Sequence, residues 1–402
     1  MAATRQRHTR RKPRPNKGRG PSQGPPPASR GVLWLPLAMT LGLVLLSFVQ
    51  RVQNNPVLVW SFWGSAVLLV VWQASLFRRS KALGRSFRTE LRPQHYIQAL
   101  VHLSVYAYWG WYWRPVYDFA WLLTAQLVFA YAFDMLLCWS RRHTYVLGFG
   151  PFPIIFSTNL FLWFRDDWFY LQFLMIAVGF LGKEFVQWHR DGRRTHIFNP
   201  SAFSLGLFSL VLIATDSSNL TWGDQIATTL NLAPNPYLFL FLLGLIVMYF
   251  FSITLVSACA AAALFGLSAL YTSLTGVPFF HDAEIPIAVF LGLHLLVTDP
   301  STSPRTATGK AMFGVLYGLC VFGLYELLGS FGIPTFYDKL LGVPLLNLCV
   351  PAIDQAARAL RRADQAQPSG LDAIPRRANL AFMAVWVLFF GAMAARSGAT
   401  DG

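Results

Sequence analysis

The chain is a succession of long apolar runs separated by short polar or basic stretches. A transmembrane helix needs roughly 20 apolar residues, so the pattern predicts an all-α polytopic membrane protein with about ten to twelve transmembrane helices. A run at 340–353 is shorter than the others and ambiguous. The longer runs lie at 32–50, 56–77, 95–113, 115–138, 146–164, 168–188, 200–214, 236–251, 253–274, 285–298, 310–330 and 379–396.

Composition supports this interpretation. Of the 402 residues, 54% are hydrophobic and only 13% are charged, whereas soluble domains carry roughly a quarter charged residues. The mean hydropathy is +0.44. These values exclude an ordinary soluble domain.

Positive charge is concentrated at the N-terminus. Residues 1–30 contain nine lysines or arginines and no acid, within a stretch rich in proline and glycine. Such a segment cannot bury a core, so we predict a disordered cytoplasmic tail that touches anionic lipid. The tail has no aromatic residues between its basic ones, so nucleic acid is not expected as a partner.

Basic clusters also follow every second apolar run, at 78–92, 141–142 and 183–194. Cytoplasmic loops are enriched in lysine and arginine. The first six helices are therefore predicted to form three hairpins whose basic ends lie in the cytoplasm, beside the N-terminus. Asp166 and Asp167 are predicted on the opposite side.

Two similar polar breaks interrupt the apolar second half, Asn199-Pro200-Ser201 and Asp299-Pro300-Ser301. A polar residue followed by proline frees backbone groups that lipid cannot satisfy. A pair of such breaks predicts two related, inverted halves with a functional site between them.

Each break also has a purely structural interpretation. Asn199 is a natural helix N-cap, and proline fits the first helical turn. A helix N-terminus inside a cavity can instead bind an anion, and an acid at the edge of an apolar helix is a site candidate. The candidate ligand-binding residues are Asn199, Ser201, Asp299, Ser301, Ser303 and Lys310.

The four cysteines, Cys138, Cys259, Cys320 and Cys349, are scattered through apolar runs without any CxxC pair. Ligation of an iron–sulfur cluster or a c-type haem by this chain alone is therefore disfavoured. We predict no metal site.

The segments HIFNPSAFSLGLF, from His196, and LLVTDPSTSPRTATGKAMFGVLYGL, which contains Asp299, resemble the signature of the RnfD and NqrB family. That family pairs an asparagine–proline break with a threonine–aspartate–proline break, followed by Ser/Thr-Pro and a Gly-Lys helix start. The resemblance covers roughly residues 145–330. It implies an inner-membrane component of a bacterial electron-transport complex, with two inverted halves similar to urea channels.

The resemblance also implies FMN attached through a phosphoester to a threonine between the breaks. The equivalent stretch here, 222–230, contains Thr228 and Thr229 but lacks the Ser-Gly pair of the Ser-Gly-Ala-Thr motif. FMN is therefore expected as a cofactor of the family, while covalent attachment to these threonines is doubtful. Members without the motif include UnbU-type proteins of enediyne biosynthesis, which this chain also resembles.

The predicted function is a membrane subunit of an Rnf/Nqr-like system, working with other redox subunits and a quinone, and coupled to ion translocation. The alternative is a flavin-free channel, transporter or accessory protein of a biosynthetic cluster. The predicted parts are a tail (1–30), an N-terminal hairpin with its basic loop (31–92), the family-like core (93–353), a basic linker (354–378), and a last helix with its tail (379–402).

Overall fold

A computed structural model describes residues 34–79, 85–91, 93–190, 192–281, 283–362 and 374–400, so the predicted tail lies outside the described residues. Sixteen α-helices dominate these ranges. They are α1 (Leu35–Leu46), α2 (Gln50–Gln53), α3 (Pro56–Arg79), α4 (Pro93–Tyr112), α5 (Pro115–Asp118), α6 (Ala120–Arg141), α7 (Pro151–Asn159), α8 (Tyr170–Phe185), α9 (Pro200–Ala214), α10 (Gly223–Thr229), α11 (Pro236–Phe251), α12 (Thr254–Thr275), α13 (Ile287–Leu295), α14 (Ala307–Ser330), α15 (Asp338–Arg362) and α16 (Arg376–Thr400).

The all-α polytopic prediction is confirmed, but the helices vary widely in length. Among the described residues, six are long and apolar enough to cross a membrane, namely α3, α6, α12, α14, α15 and α16. The segments Gly223–Leu232 and Pro236–Phe251, bent by 100°, would make a seventh. By length and composition the count is thus six or seven rather than about ten to twelve. Several predicted spans are instead short helices, such as α7 and α13 with nine residues each.

A network of buried amide side chains lies where the chain leaves α7, inside an apolar core. The Asn159 side chain donates to Gln126 Oε1 at 2.7 Å and accepts from Gln172 Nε2 at 3.1 Å. Gln172 Oε1 in turn accepts from the backbone N–H of Phe164 at 2.9 Å. All three amide side chains are fully buried. Polar backbone is tolerated at this depth because protein groups replace water.

Two glycines bring α12 and α14 into very close contact. A Cβ at Gly314 would lie 2.3 Å from the carbonyl oxygen of Val256, and one at Gly318 would lie 2.9 Å from that of Ala260. Small residues at this four-residue spacing let membrane helices approach closely. Because the obstacles are backbone atoms, they cannot move aside as a flexible side chain could.

The two ends of the helix bundle carry different charged contacts. Arg51 Nη2 pairs with Asp166 at 3.1 Å, and Asn55 donates to Asp167 at 2.8 Å. At the other end Glu184, near the end of α8, forms ion pairs with Arg141 and Arg142. Asp166 and Asp167 thus lie at the opposite end from Arg141 and Arg142, as the alternation of charge predicts.

Two small sheets, which the sequence pattern did not predict, lie at the basic end. β1 (Ser86–Thr89) pairs in parallel with β2 (Thr144–Leu147), and β3 (Gln187–Arg190) pairs antiparallel with β4 (Arg193–His196). Helix α15 continues to Arg362, through the first nine residues of the predicted linker 354–378. The β3–β4 hairpin and α15 together flank the candidate functional site.

Candidate functional site

The first break begins α9 with a side-chain cap. Asn199 Oδ1 accepts from the N–H groups of Ser201 at 3.1 Å and Ala202 at 3.4 Å. It also accepts from the Ser201 hydroxyl at 2.8 Å. Asn199 Nδ2 donates to the carbonyl of Leu296 at 3.0 Å. The same side chain therefore caps one helix and holds the chain that leads into the second break.

The second break folds its hydroxyls back onto one carboxylate. Asp299 Oδ1 accepts from the N–H and the hydroxyl of Ser301, at 2.9 and 2.6 Å, and Oδ2 accepts from Thr302 at 3.2 Å. The Ser303 hydroxyl donates to the Asp299 carbonyl at 2.7 Å. His196 Nε2 lies 3.0 Å from the Ser301 oxygen. Since the Ser301 proton is used on Asp299, this histidine nitrogen is the donor.

Opposing influences act on the Asp299 carboxyl. Shielding from water alone would raise its pKa, but the nearby His196 and the two hydrogen bonds from Ser301 favour the charged form more strongly. The pKa of Asp299 therefore lies below its ordinary value, and the break carries a carboxylate at neutral pH.

A cavity of about 240 Å³ lies between the two breaks. It is bounded by the starts of α4, α7 and α9 and by the ends of α8, α11 and α13. The nine-residue helices α7 and α13 run in opposite directions, since α7 begins at the cavity and α13 ends there. Its polar lining includes His95, Gln98, His102, Ser157, Lys183, His196, Asn199, Ser201, His294, Thr298 and Asp299. Its apolar lining includes Pro153, Ile154, Val247, Phe251 and Leu295.

Two buried histidines face this cavity with different hydrogen-bond states. His102 Nδ1 lies 2.8 Å from the Gln98 carbonyl and Nε2 lies 3.0 Å from Ser157 Oγ, so both nitrogens are used. His294 Nδ1 lies 2.8 Å from the Phe290 carbonyl, and its Nε2 has no partner among the described residues. Because Nδ1 must donate to a carbonyl, Nε2 of His294 carries a free lone pair. A buried polar atom without a partner is a candidate ligand contact.

Lys310, Ser303 and the exposed Ser301, although predicted as ligand-binding residues, do not line the cavity. Lys310 Nζ donates to the carbonyl of Ser252 at 2.8 Å. Ser252 ends α11 in the left-handed conformation, with a φ of 53°. Lysine at this position satisfies an orphan carbonyl at a helix end, so the lysine joins α14 to α11. The Ser303 carbonyl accepts from Arg190 Nη1 at 3.2 Å, so Ser303 helps to hold the second break in place.

The two candidate threonines lie away from the cavity. Thr229 Oγ1 accepts from Trp109 Nε1 at 3.1 Å, and the exposed Thr228 donates to the Asp224 carbonyl at 3.1 Å. Trp109 lies two turns beyond His102 on α4, about 10 Å farther along the axis. Neither threonine lines the cavity, and doubtful covalent attachment of FMN to them stays a prediction.

Two residues of α15 hold both breaks in place, and sequence reasoning did not find them. Asn347 Oδ1 accepts from the N–H of Asn199 at 3.1 Å, and its Nδ2 lies 3.4 Å from the Thr302 carbonyl. Asp354 accepts from Arg190 at 2.6 Å and from the N–H of Arg305 at 3.2 Å. The Arg190 and Asp354 side chains are only 11% and 6% exposed. Neither residue stands in a recognisable motif, because each contact joins distant parts of the chain.

No group of three or more histidine, cysteine or acidic side chains that could hold a metal ion is found among the described residues. All four cysteines are free. The polar groups that line the cavity are imidazole, amide, hydroxyl, ammonium and carboxylate groups.

The fold and site define a polytopic α-helical membrane protein in which two proline breaks meet in one polar cavity. Residues 192–361 match the model of the NQR2, RnfD, RnfE family. The resemblance to RnfD predicted from the two motifs is confirmed in this region, which starts later than predicted and extends through Asn347 and Asp354. The branch resembling UnbU-type proteins stays a prediction.

Two relatives of this chain are components of ion-translocating oxidoreductase complexes. The D subunit of the complex from Actinobacillus succinogenes is 37% identical over 94 residues, which are 23% of this chain and 24% of that protein. The corresponding protein of Aeromonas salmonicida is 37% identical over 84 residues, 21% and 22% of the two chains. The matched part thus spans about a quarter of each relative's length.

Proposed function

We propose that this protein is a membrane subunit of an electron-transport complex related to the ion-translocating oxidoreductases, and that its cavity binds a planar redox ring bearing carbonyl groups, as in a quinone or a flavin. The observation that carries the proposal is that Asn199 and Asp299, the residues of the two family motifs, line one cavity together. The match over residues 192–361 and the names of the relatives support the same function.

The lining suits such a ring. Lys183 brings a positive charge, and the free Nε2 of His294 can accept an N–H or O–H from the ligand. Val247, Phe251 and Leu295 supply an apolar wall. At about 240 Å³ the cavity is smaller than the roughly 300–1,000 Å³ of most ligand pockets, which favours a ring over a whole nucleotide.

Proton handling would fall to His196 and to residues of the second break. His196 donates to the Ser301 oxygen, and Ser301 donates to Asp299. A quinone or flavin ring supplies reversible two-electron chemistry when bound. The residues of this chain would hold the ring, keep a carboxylate beside it and carry protons to its edge.

The basic end of the bundle, where the cavity lies, is proposed to face the cytoplasm of a bacterial inner membrane. Arg141, Arg142 and Arg190 lie at this end, whereas Asp166 and Asp167 lie at the other. This placement follows the positive-inside rule. It puts the proposed ring within reach of cytoplasmic redox subunits.

Replacing His294 by phenylalanine is expected to weaken binding of a short-chain quinone about fivefold to tenfold, the value of one buried hydrogen bond. The new ring would still pack against Phe290 and Trp386, whose rings lie 4.5 and 6.2 Å from that of His294. Binding is measured by equilibrium dialysis on the purified protein in detergent. His189→Phe is the control, because His189 is exposed on β3 and does not line the cavity.

Equal affinities of the two variants, or no quinone or flavin binding by the wild-type protein, would contradict the proposed function. A channel or transporter is the second candidate, since the oppositely directed short helices α7 and α13 meeting at one cavity are typical of transporters. It predicts passage of small polar solutes into liposomes without any redox ligand, so flux measured on the same preparation separates the two functions.

A further inference from the structure

A second pocket lies on the outside of the helix bundle, apart from the cavity between the breaks. It measures about 530 Å³ and lies between the last turns of α3, the end of α6 and Arg85. We call it the arginine groove and define it by Leu68, Val71, Trp139, Arg85, Arg141 and Arg142.

The groove carries excess positive charge. Two acids lie near its three arginines: Glu184 Oε1 lies 3.3 Å from Arg141 Nε while Glu184 Oε2 pairs with Arg142, and Asp134 interacts electrostatically with Arg142. Three positive charges against at most two negative ones leave the groove with a net positive charge. Arg141 and Arg142 keep 41% and 60% of their side chains exposed, so both can reach a further anion.

Arg85 is held in the groove by aromatic rings. Its guanidinium lies 5.8 Å from the ring of Phe77 and 5.7 Å from that of Trp139. Its Nη2 lies 3.5 Å from the carbonyl of Leu76, and it forms no ion pair with any described residue. Only 8% of Arg85 is exposed. A cation fixed in this way, without a carboxylate, is preorganised to receive an anionic group.

One wall of the groove is apolar and faces outward. Leu68 and Val71 are 71% and 60% exposed on α3, a helix long and apolar enough to cross a membrane. Trp72 Nε1 donates to Ser140 Oγ at 3.0 Å, which ties α3 to α6 beneath the arginines. The groove therefore joins a lipid-facing surface to a cluster of arginines at the end of the bundle.

We infer that the arginine groove binds the phosphate of an anionic phospholipid, with Arg85, Arg141 and Arg142 on the headgroup and the acyl chains along Leu68 and Val71. Basic pockets between transmembrane helices bind anionic headgroups in this way. The exposed apolar wall distinguishes a lipid from a free phosphate ion, because only a lipid has chains to cover it.

Arg85→Gln and Arg142→Gln are each expected to weaken binding of dioleoyl phosphatidylglycerol about fivefold, since each removes one positive charge close to the headgroup. Lipid binding is measured by titration with native mass spectrometry on the full-length protein in detergent. Arg142 is exposed, so its replacement tests the inference even where Arg85→Gln fails to fold. The control is Arg114→Gln, whose guanidinium also lies over aromatic rings, at 5.3 Å from Trp111, but outside the groove.

The expected result is that phosphatidylglycerol binds more tightly than phosphatidylcholine, and that only the two groove variants reduce the difference. Equal binding of the two lipids, or an equal loss in Arg114→Gln, would overturn the inference. Displacement of the lipid by millimolar inorganic phosphate would show that a free anion is the ligand, and would overturn it as well.

Discussion

Replacing Gly314 by valine is expected to lower the free energy of unfolding by about 3 kcal/mol, the upper end of the usual cost of overpacking. A Cβ at this position would lie 2.3 Å from the Val256 carbonyl oxygen and 3.1 Å from the Ala260 nitrogen. Both obstacles belong to the backbone of α12. The two helices would have to separate, which would also remove the close contact at Gly318.

The loss is measured by equilibrium unfolding in mixed detergent micelles. Gly323→Val is the matched control on the same helix, because a Cβ there would meet nothing within 4 Å. It is expected to change stability by less than about 0.5 kcal/mol, as surface substitutions usually do. Similar losses at both glycines would mean that α12 and α14 do not pack through Gly314.

Replacing Asp354 by alanine is expected to cost about 3 kcal/mol, because breaking a buried ion pair leaves one charge without a partner. Arg190 would keep its bond to the Ser303 carbonyl but lose the carboxylate 2.6 Å away. The N–H of Arg305 would lose its acceptor as well. The loop that carries Asp299 would therefore loosen, and ligand binding in the cavity would weaken together with stability.

Thermal unfolding in detergent and quinone dialysis measure the two effects. The double variant Arg190→Met with Asp354→Leu removes both charges and should recover most of the lost stability. The control is Asp167→Ala, since the contact of Asp167 with Asn55 is exposed and should contribute less than about 1 kcal/mol. Equal losses of stability in Asp354→Ala and Asp167→Ala would show that Asp354 does not hold the loop that carries Asp299 in place.

The sequence predicted those features that depend on local chemistry. Asn199 caps α9 through the N–H groups that follow it, and proline stands in the first turn, as the break predicts. The separation of Asp166 from the basic clusters likewise follows from the order of apolar runs and charges. Such features need only a few neighbouring residues, and they are readable without a structure.

Contacts between distant residues could not be predicted in this way. Arg190 and Asp354 are 164 residues apart in the chain, and Asn199 and Asn347 are 148 apart. His294 stands five residues before Asp299 in the chain, but the sequence cannot show that its Nε2 lacks a partner among the described residues. That property depends on how α13 packs, with Phe290 and Trp386 around the ring.

The number of membrane spans and the role of Lys310 could not be predicted from hydropathy or from closeness in sequence to a motif. Hydropathy marks apolar runs but does not show where a buried amide such as Asn159 ends a helix, so short helices such as α7 are counted as spans. Lys310 follows the second break closely, yet its side chain reaches the Ser252 carbonyl instead of the cavity. Proximity in sequence to a motif did not fix the direction of the side chain.

Binding of a quinone ring in the cavity is tested most directly by photoaffinity labelling of the full-length protein in its membrane with an azido-quinone, followed by mapping of the labelled peptides. We expect label in peptides containing His102, Ser157 and His294, and we expect it to be lost on addition of excess unlabelled quinone. Label confined to 222–232, or label at the cavity that excess quinone does not displace, would contradict it.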